Sequence, residues 1–249
     1  MPYRSAENLL FWEFEIFQQY EELTCLFSTT QNGNSKLNLG FTKFADANEV
    51  RKNRDLFLTA AGASRNKIAI GKQIHSRNVR SVTQPGLFDD TDGLITSRND
   101  LSLIVSSADC LPLFFYDNVE KVCSVVHAGW RGTRDGVAVE AVRLMVELYR
   151  SDPDNIKCGI GPSIEASCYE VSSEVANQFD GNFLTPSKHD KMQLNLKDVV
   201  RKQLEKSGIL PENIEVSDIC NKCDEENYFS YRREGDKTGR MWGLMRINP

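Results

Sequence analysis

Apolar and polar residues follow one another with changing periods along the chain, and each period predicts an element. Helical spacing of apolar residues predicts helices behind Asp46, behind His127, at Ser173–Phe179 and at Leu196–Lys206. Short β-branched or aromatic runs predict strands. These runs are Cys25–Thr30, Lys67–His75, Leu101–Val105, Leu113–Tyr116 and Val122–His127, and Leu9–Phe17 is either a strand or a short helix. Because strands and helices alternate irregularly, we expect a layered α/β (α+β) domain with mixed β-sheets.

Capping residues define the ends of one helix. Asp46 and Glu49 form an Asp-x-x-Glu capping pattern, and Gly62 stands where a C-terminal cap belongs. We expect the helix behind His127 to have its amino end just beyond that histidine. Unpaired N–H groups at such an end attract anions, so this end and Arg131 are a candidate anion site.

The segments on either side of Asp117–Lys121 predict an antiparallel hairpin. A turn centred between Asn118 and Val119 would set Cys110 directly opposite His127. Directly opposed residues share a face, with Cβ atoms about 4.5–5.5 Å apart. One metal ion can bridge two side chains at that separation.

Composition places the chain among globular proteins. Its 249 residues are 40% hydrophobic and 26% charged, which excludes a disordered chain, a coiled coil and a collagen-like fibre. This length fits one domain spanning 1–249. A net charge of -5 gives no global attraction for nucleic acid or an anionic membrane. No apolar run approaches the roughly 18 residues of a membrane span, and the acidic N-terminal segment does not resemble a signal peptide.

The seven cysteines are an odd number in a chain of ordinary size. They indicate free or metal-bound thiols in a reducing compartment, so we expect a cytoplasmic protein. Cys220 and Cys223 form a lone Cys-x-x-Cys pair, which is a weak signal. Two free thiols in a turn are the simpler interpretation, because the remaining cysteines do not form a second pair.

Only three histidines are available for metal or acid–base chemistry, and His189 is expected at the surface. His75, Cys110 and His127 each stand at or just beyond a predicted strand end, and zinc accepts imidazole nitrogen and thiolate sulfur. The same residues also allow a Cys110–His127 nucleophile pair, with Asp109 orienting the base. A hydrogen-bonded core histidine beside an inert cysteine remains the alternative without function.

Several segments together resemble the YfiH/YlmD family, long called a laccase or multicopper polyphenol oxidase domain and later described as purine nucleoside phosphorylases. ADCLPLFFYD at 108–117 followed by HAGWRG at 127–132 is the most specific match. The other matching segments are SKLNLG (35–40), QIH (73–75), TDGLIT (91–96), GPSIEASCYEV (161–171), Cys220-x-x-Cys223, FSYRR (229–233) and TGR (238–240).

The resemblance implies a cytosolic enzyme that binds zinc through His75, Cys110 and His127. It implies phosphorolysis of adenosine, inosine and methylthioadenosine, deamination of adenosine, and a fold like the catalytic domain of cytotoxic necrotizing factor. The partners are then a small purine nucleoside and phosphate. Asn38 and Gln73 lie in matching segments and are predicted to bind substrate. The chain departs from the family after Gly40, where FTKFADAN replaces a His-Val-Gly-Asp-like stretch.

The older laccase label can be tested by counting ligands. A blue-copper centre alone takes two histidines and a cysteine, so three histidines cannot furnish the further coppers of a multicopper oxidase. Cu²⁺ in the single site can still give weak oxidation in vitro.

Several assignments stay open at this stage. Cys110, His127, Asp109 and Arg131 are the predicted catalytic residues, and Glu165 and Glu170 are further candidates for the general acid. The alternatives are a metal-free Cys–His hydrolase or amidase, and a non-catalytic module that binds metal or nucleoside. The chain is expected to be a monomer or a homodimer.

Overall fold

The computed structural model describes residues 3–33, 35–188 and 190–249. The six α-helices of these residues are α1 (Ala47–Ala60), α2 (Trp130–Arg134), α3 (Val137–Tyr149), α4 (Ser173–Ala176), α5 (Leu196–Lys206) and α6 (Tyr231–Glu234). Their strands are β1 (Tyr3–Ala6), β2 (Leu9–Trp12), β3 (Leu23–Asn32), β4 (Ser35–Lys36), β5 (Ile68–Gly71), β6 (Val79–Ser81), β7 (Gly86–Phe88), β8 (Gly93–Thr96), β9 (Ser102–Ser107), β10 (Leu111–Asp117), β11 (Val122–Ala128), β12 (Ile156–Ile160), β13 (Glu170–Val171), β14 (Leu184–Pro186), β15 (Met192–Leu194), β16 (Ile214–Val216) and β17 (Met241–Ile247).

Two large sheets lie face to face between helices. One has the order β1-β2-β3-β17-β9-β5-β7, with β4 paired to β3, and the other has the order β16-β12-β10-β11-β8-β6. A core that includes Phe27, Leu103, Phe114 and Val125 fills the space between them. The outer face of the first sheet packs on α1, and that of the second packs on α3 and α5. This is the layered α/β architecture with mixed sheets that the sequence predicts.

The central hairpin is buried on both faces. In β10, Leu113 and Phe115 face the helices, whereas Phe114 and Tyr116 face the other sheet, as the alternation of a strand requires. The apolar run of this strand is unbroken because each of its two faces is buried in a different core.

The predicted register of this hairpin is wrong by two residues. Pro112, not Cys110, lies opposite His127, because the loop has four residues and the carboxylate of Asp117 accepts hydrogen bonds from the N–H groups of Val119 and Glu120. A shift of two keeps every side chain on its face. Cys110 and His127 therefore still face the same side.

The predicted caps of α1 are confirmed. The Asp46 carboxylate accepts hydrogen bonds from the N–H groups of Asn48 and Glu49, and Gly62 adopts a left-handed φ of 62° just past the helix. The helix predicted at Leu196–Lys206 has these bounds. Leu9–Phe17 contains both a strand, β2, and a 3-10 turn at Glu15–Phe17.

Three predicted elements differ from the structure. The strand predicted to reach His75 ends at Gly71. The helix predicted at Ser173–Phe179 ends at Ala176, where the N–H groups of Gln178 and Phe179 bond three residues back instead of four. The predicted helix with apolar residues from Val137 onward is confirmed as α3, but its amino end does not lie just beyond His127. A short helix that the sequence did not predict, α2, occupies that place, and the left-handed Gly136 separates the two.

Among the helices that the structure describes, none has the length and apolar character needed to cross a bilayer. The predicted surface position of His189 lies outside the described residues.

Candidate metal centre and its cavity

Three side chains from separate segments meet where β10 begins and β11 ends. Ligand atoms of His75, Cys110 and His127 lie within 4.8 Å of one another, and the two imidazole rings are 4.7 Å apart at 82°. No fourth His, Cys, Asp or Glu among the described residues joins this group. The trio singled out from the sequence is therefore brought together.

The hairpin supplies two of the three. His127 is near the end of β11, and Cys110 immediately precedes β10, at the position that faces Gly129 in the hairpin register. A Cβ on Gly129 would lie 2.7 Å from His75 Cδ2 and 3.1 Å from Cys110 Sγ. The absence of a side chain at Gly129 therefore makes room for the group.

A loop stabilised by one carboxylate supplies His75. Asp92 accepts hydrogen bonds from three consecutive N–H groups, at 3.2 Å from Ile74, 3.0 Å from His75 and 2.8 Å from Ser76. These bonds replace the strand that the sequence predicts here and hold His75 at a left-handed φ of 63°. The same carboxylate lies 2.9 Å from His127 Nδ1. One buried residue thus orients both histidines.

The ionisable groups of Cys110, His127 and Asp92 shift one another's pKa values. Burial raises the pKa of Cys110, but the neighbouring His127 and His75 outweigh it and lower the pKa to about 6. Burial lowers the pKa of His127, but Cys110 and Asp92 raise it to about 9. Hydrogen bonds from His127 and Ser76 likewise overcome burial and keep the pKa of Asp92 below its usual value. Without a cation, a thiolate beside an imidazolium is therefore the favoured state.

The donor set fits a zinc ion. His127 uses Nδ1 on Asp92, which leaves Nε2 as its free donor, and zinc-bound histidines commonly carry such a carboxylate partner. Two imidazoles and one thiolate with a position to spare are typical of catalytic zinc rather than structural zinc. His75 is exposed while His127 is buried, so the group is open on the side of His75.

That open side faces a cavity of about 1370 Å³. Its walls come from both sheets and from the segments after β12 and around α6. His75, Cys110 and His127 contribute to its lining, and so do the predicted residues Asp109 and Gln73. The space exceeds the roughly 300–1,000 Å³ typical of small-molecule sites, so its volume allows more than one small ligand.

Cationic side chains line the cavity although the net charge of the chain is -5. Arg54 stacks between the rings of Phe41 and Trp242 at 4.2 and 4.3 Å and donates to the carbonyl of Leu39. Arg240 also lines the cavity, and neither guanidinium forms an ion pair with any residue in 3–33, 35–188 or 190–249. Burial lowers the pKa of Arg54 to about 10, so it stays charged near neutrality.

The remaining predicted site residues have different surroundings. The Gln73 amide exchanges two hydrogen bonds with the backbone of Ser106, and Asn38 Oδ1 accepts from the N–H groups of Gly40 and Arg240 without lining the cavity. Arg131 is exposed, stacks 4.2 Å above the Trp130 ring and does not line the cavity.

The three candidate acids also differ. Asp109 is buried in the cavity wall and accepts from the N–H of Arg232 at 2.6 Å; burial raises the pKa of its carboxyl despite that bond. Glu165 pairs with Lys197, and Glu170 pairs with Lys191. Neither glutamate lines the cavity.

Sequence reasoning missed Asp92 and the arginines of the cavity wall. Asp92 stands in the matching TDGLIT segment, which was the available signal, but nothing in that segment marks it as the partner of His127. Arg54 lies on α1 amid other charged residues, where a solvated helix face is the ordinary interpretation.

Comparisons with known proteins identify the family of the chain. The family model described as Multi-copper polyphenol oxidoreductase laccase matches residues 24–248. Purine nucleoside phosphorylase YlmD of Bacillus subtilis strain 168 is 32% identical over 252 residues, covering 92% of this chain and 90% of that protein.

Two crystal structures share the fold along nearly the whole chain. The hypothetical protein YfiH of Bacillus licheniformis is 30% identical with a TM-score of 0.91, covering 99% of each chain. YlmD from Geobacillus stearothermophilus is 26% identical with the same TM-score, covering 99% of this chain and 98% of that one. The chain therefore belongs to the YfiH/YlmD family of laccase-domain proteins.

Proposed function

We propose that the protein is a purine nucleoside phosphorylase that holds zinc on His75, Cys110 and His127. The observation that carries the proposal is a group of three donors, open on one side, in a cavity whose wall also presents guanidinium groups that have no carboxylate partner among the described residues. The name of the B. subtilis relative supports the substrate class.

Phosphorolysis joins a phosphate oxygen to C1′ of the ribose while the bond from C1′ to the purine nitrogen breaks. The base leaves with the electron pair and takes up a proton. In this proposal Arg54 and Arg240, which line the cavity, bind the phosphate, because a planar guanidinium pairs well with phosphate oxygens. Asp109 is a candidate proton carrier, since one of its carboxylate oxygens is buried at the cavity wall without a hydrogen-bond partner among the described residues.

The metal has a defined part in the proposal. When bound, zinc supplies a Lewis acid that polarises a substrate or phosphate oxygen or activates water. His75, Cys110 and His127 hold it, and Asp92 keeps the histidines in the required orientation. We extend the proposal to methylthioadenosine as a phosphorolysis substrate and to deamination of adenosine, in which water replaces the amino group at C6.

The roles predicted from the sequence for Arg131 in phosphate binding and for Asn38 in substrate binding remain predictions. Arg131 can bind phosphate only if the substrate extends to the exposed face of α2, and Asn38 can act only through the backbone that it holds. Cytoplasmic location and the choice between monomer and homodimer also remain predictions. Copper in place of zinc is an in vitro possibility, and three histidines still cannot furnish a multicopper oxidase.

The test uses purified, zinc-replete protein with inosine and phosphate. We expect hypoxanthine and ribose 1-phosphate in equal amounts, and no base release when phosphate is left out. Adenosine alone is expected to give inosine and ammonia. Metal-replete protein that releases no base from inosine, adenosine or methylthioadenosine would contradict phosphorolysis.

One observation favours a second candidate, a metal-free Cys110–His127 hydrolase or amidase. The low pKa of Cys110 beside an imidazolium is the arrangement of an activated thiol nucleophile. Iodoacetamide separates the two functions. A zinc-bound Cys110 is protected until a chelator is added, whereas an unliganded thiolate is alkylated at once.

A further inference from the structure

A second group of sulfur ligands lies outside the cavity. Sγ atoms of Cys168, Cys220 and Cys223 all lie within 4.8 Å of one another, and those of Cys168 and Cys223 are 3.3 Å apart. None of the three lines the cavity around His75. The sequence alone shows only the Cys220–Cys223 pair, because Cys168 is 52 positions before it.

The backbone holds this three-thiol cluster in place. The N–H of Asn221 donates to the carbonyl of Ser163 at 3.0 Å, and Ser163 and Cys220 form a parallel β-bridge. The N–H groups of Cys223 and Asp224 both donate to the carbonyl of Cys220, which folds the Cys-x-x-Cys segment into a tight turn. The thiols therefore meet because two loops are joined by hydrogen bonds.

The sulfur of Cys220 receives a further contact from the opposite loop. The N–H of Glu165 points at Cys220 Sγ at 3.5 Å. Backbone N–H groups directed at sulfur favour the thiolate, which is the form that binds metals. The N–H of Glu165 therefore favours the thiolate of Cys220, beside the two neighbouring thiols of Cys168 and Cys223.

The other cysteines provide a contrast. Cys25, Cys123 and Cys158 are each buried, as inert core thiols are. Cys168 and Cys220 are half-buried and Cys223 is exposed, so an ion can reach the three-thiol cluster from solvent. Three accessible thiols this close together can bind one cation jointly, which isolated thiols cannot do.

The spacing suits zinc. A Zn–S bond of about 2.3 Å in a tetrahedron places sulfurs about 3.8 Å apart. The Sγ atoms of Cys168 and Cys223 are 3.3 Å apart and the other two separations are at most 4.8 Å, so small side-chain rotations reach that distance. A Cys-x-x-Cys turn is also a common half of a structural zinc site.

We propose that Cys168, Cys220 and Cys223 bind a second thiophilic divalent cation, with Zn²⁺ as its representative. The exposed side of Cys223 leaves the fourth position to water or an added ligand. The ion fastens the loop after β12 to the loop after β16, at a site separate from His75, Cys110 and His127.

These two loops continue into the cavity wall. Ile164 and Tyr169 come from the first, and Tyr231 and Arg232 follow the second. Both are also joined to Asp109, whose carbonyl accepts from the N–H of Ile164 and whose carboxylate accepts from that of Arg232. Occupation of the three-thiol cluster therefore stabilises the part of the cavity wall that these two loops and Asp109 form.

Metal binding tests the proposal without any measurement of activity. His75→Ala/Cys110→Ala removes two donors of the first group and leaves the three-thiol cluster intact. We expect this variant to keep one tightly bound Zn²⁺ per chain and, with Co²⁺, to show strong thiolate charge-transfer absorption. Cys220→Ser/Cys223→Ser in the same background should lose both signals, and Cys25→Ala should keep them.

Three results would overturn the proposal. The first is a double variant that binds no more metal than the one that also lacks Cys220 and Cys223. The second is cobalt absorption too weak for three thiolates, scaled against the single thiolate of Cys110. The third is an intact mass lower by two thiol hydrogens after purification under reducing conditions, which would indicate a Cys168–Cys223 disulfide instead.

Thermal unfolding gives an independent readout. A cation that binds the folded chain raises its unfolding temperature as its concentration rises. Added Zn²⁺ should therefore stabilise His75→Ala/Cys110→Ala and leave the variant that also carries Cys220→Ser/Cys223→Ser unchanged. Circular dichroism establishes that both variants are folded. Equal shifts in both variants would contradict binding at the three thiols.

Discussion

The two sulfur-containing groups are built in different ways. His75, Cys110 and His127 come from strand ends and a carboxylate-bound loop, are supported by a buried Asp92, and open into a large cavity. Cys168, Cys220 and Cys223 come from turns, have only backbone support, and lie outside that cavity.

This difference separates two uses of a metal ligand. A group that mixes nitrogen and sulfur, keeps one side open and is held by side-chain hydrogen bonds is suited to chemistry on a bound molecule. A group of thiols in turns is suited to joining loops. Position relative to the cavity, rather than the number of cysteines, distinguishes the two.

The largest effect is expected from His75→Ala. Metal Lewis acidity is worth several kcal/mol, and each 1.4 kcal/mol is tenfold in rate, so kcat/KM for inosine should fall about 1000-fold. Cys168→Ser in the other group should cost less than about tenfold, because it acts only through the cavity wall. Steady-state kinetics of both variants with full phosphate saturation measure the difference. Equal losses would remove the distinction between the groups.

Gly129→Ala tests how closely the first group is packed. The new Cβ would overlap His75 Cδ2 at 2.7 Å, so we expect loss of stoichiometric zinc and a fall in activity of about 100-fold. The control is Gly181→Ala, because a Cβ there meets nothing within 4 Å. Full zinc content in Gly129→Ala, measured by elemental analysis, would refute the packing.

Asp92→Asn tests the support of the two histidines. An amide cannot accept all the hydrogen bonds that the carboxylate accepts, so zinc affinity should fall about 10- to 100-fold. Competition with a chromogenic chelator measures that affinity. Asp89→Asn is the matched control, since Asp89 is exposed and pairs only with Lys72 among the described residues. Unchanged affinity in Asp92→Asn would show that the histidines orient themselves.

Arg240→Gln and Arg54→Gln address the second ligand of the cavity. Each should raise KM for phosphate about 10- to 100-fold with little change in KM for the nucleoside, because loss of one charge-assisted hydrogen bond costs about 1.5–3 kcal/mol. Arg131→Gln tests the alternative anion site at the amino end of α2. If it alone raises KM for phosphate, the anion site lies at α2 and the assignment to the cavity arginines is wrong.

The smallest effect concerns the outer support of the His75 loop. Glu140 on α3 bonds Arg143 and Arg77, which lower its pKa from the usual 4.5 to about 2. A lowered pKa stabilises the fold above about pH 4.5, and this contribution is lost as the pH falls towards 2. Glu140→Gln should therefore lower the free energy of unfolding by about 0.5 kcal/mol at pH 7 and by nearly nothing at pH 2. Urea unfolding at both pH values measures this, and a constant difference would be contrary to expectation.

Pattern and local chemistry predicted much of the fold. Asp46 and Gly62 bound α1, and α5 has the predicted ends, because caps and apolar spacing are local. The pairing of Cys110 and His127 on one face was also predictable, since a strand alternates with period two. The register of the hairpin was not predictable, because the length of its loop depends on hydrogen bonds to the Asp117 side chain.

Long-range contacts account for what the sequence could not predict. The end of β5 depends on Asp92, which lies 17 positions after His75 and takes hydrogen bonds that would otherwise continue a sheet. Arg54 reaches the cavity only because α1 packs on the sheet beside it. Cys168 joins Cys223 across two loops for the same reason. Each depends on tertiary packing that no local period encodes.

The double use of Asp92 has a consequence for the zinc proposed at this site. One carboxylate positions both imidazoles by its own hydrogen bonds, so the two histidines have a support besides the metal. We therefore expect that zinc can be stripped with a chelator and refilled reversibly at ordinary temperature.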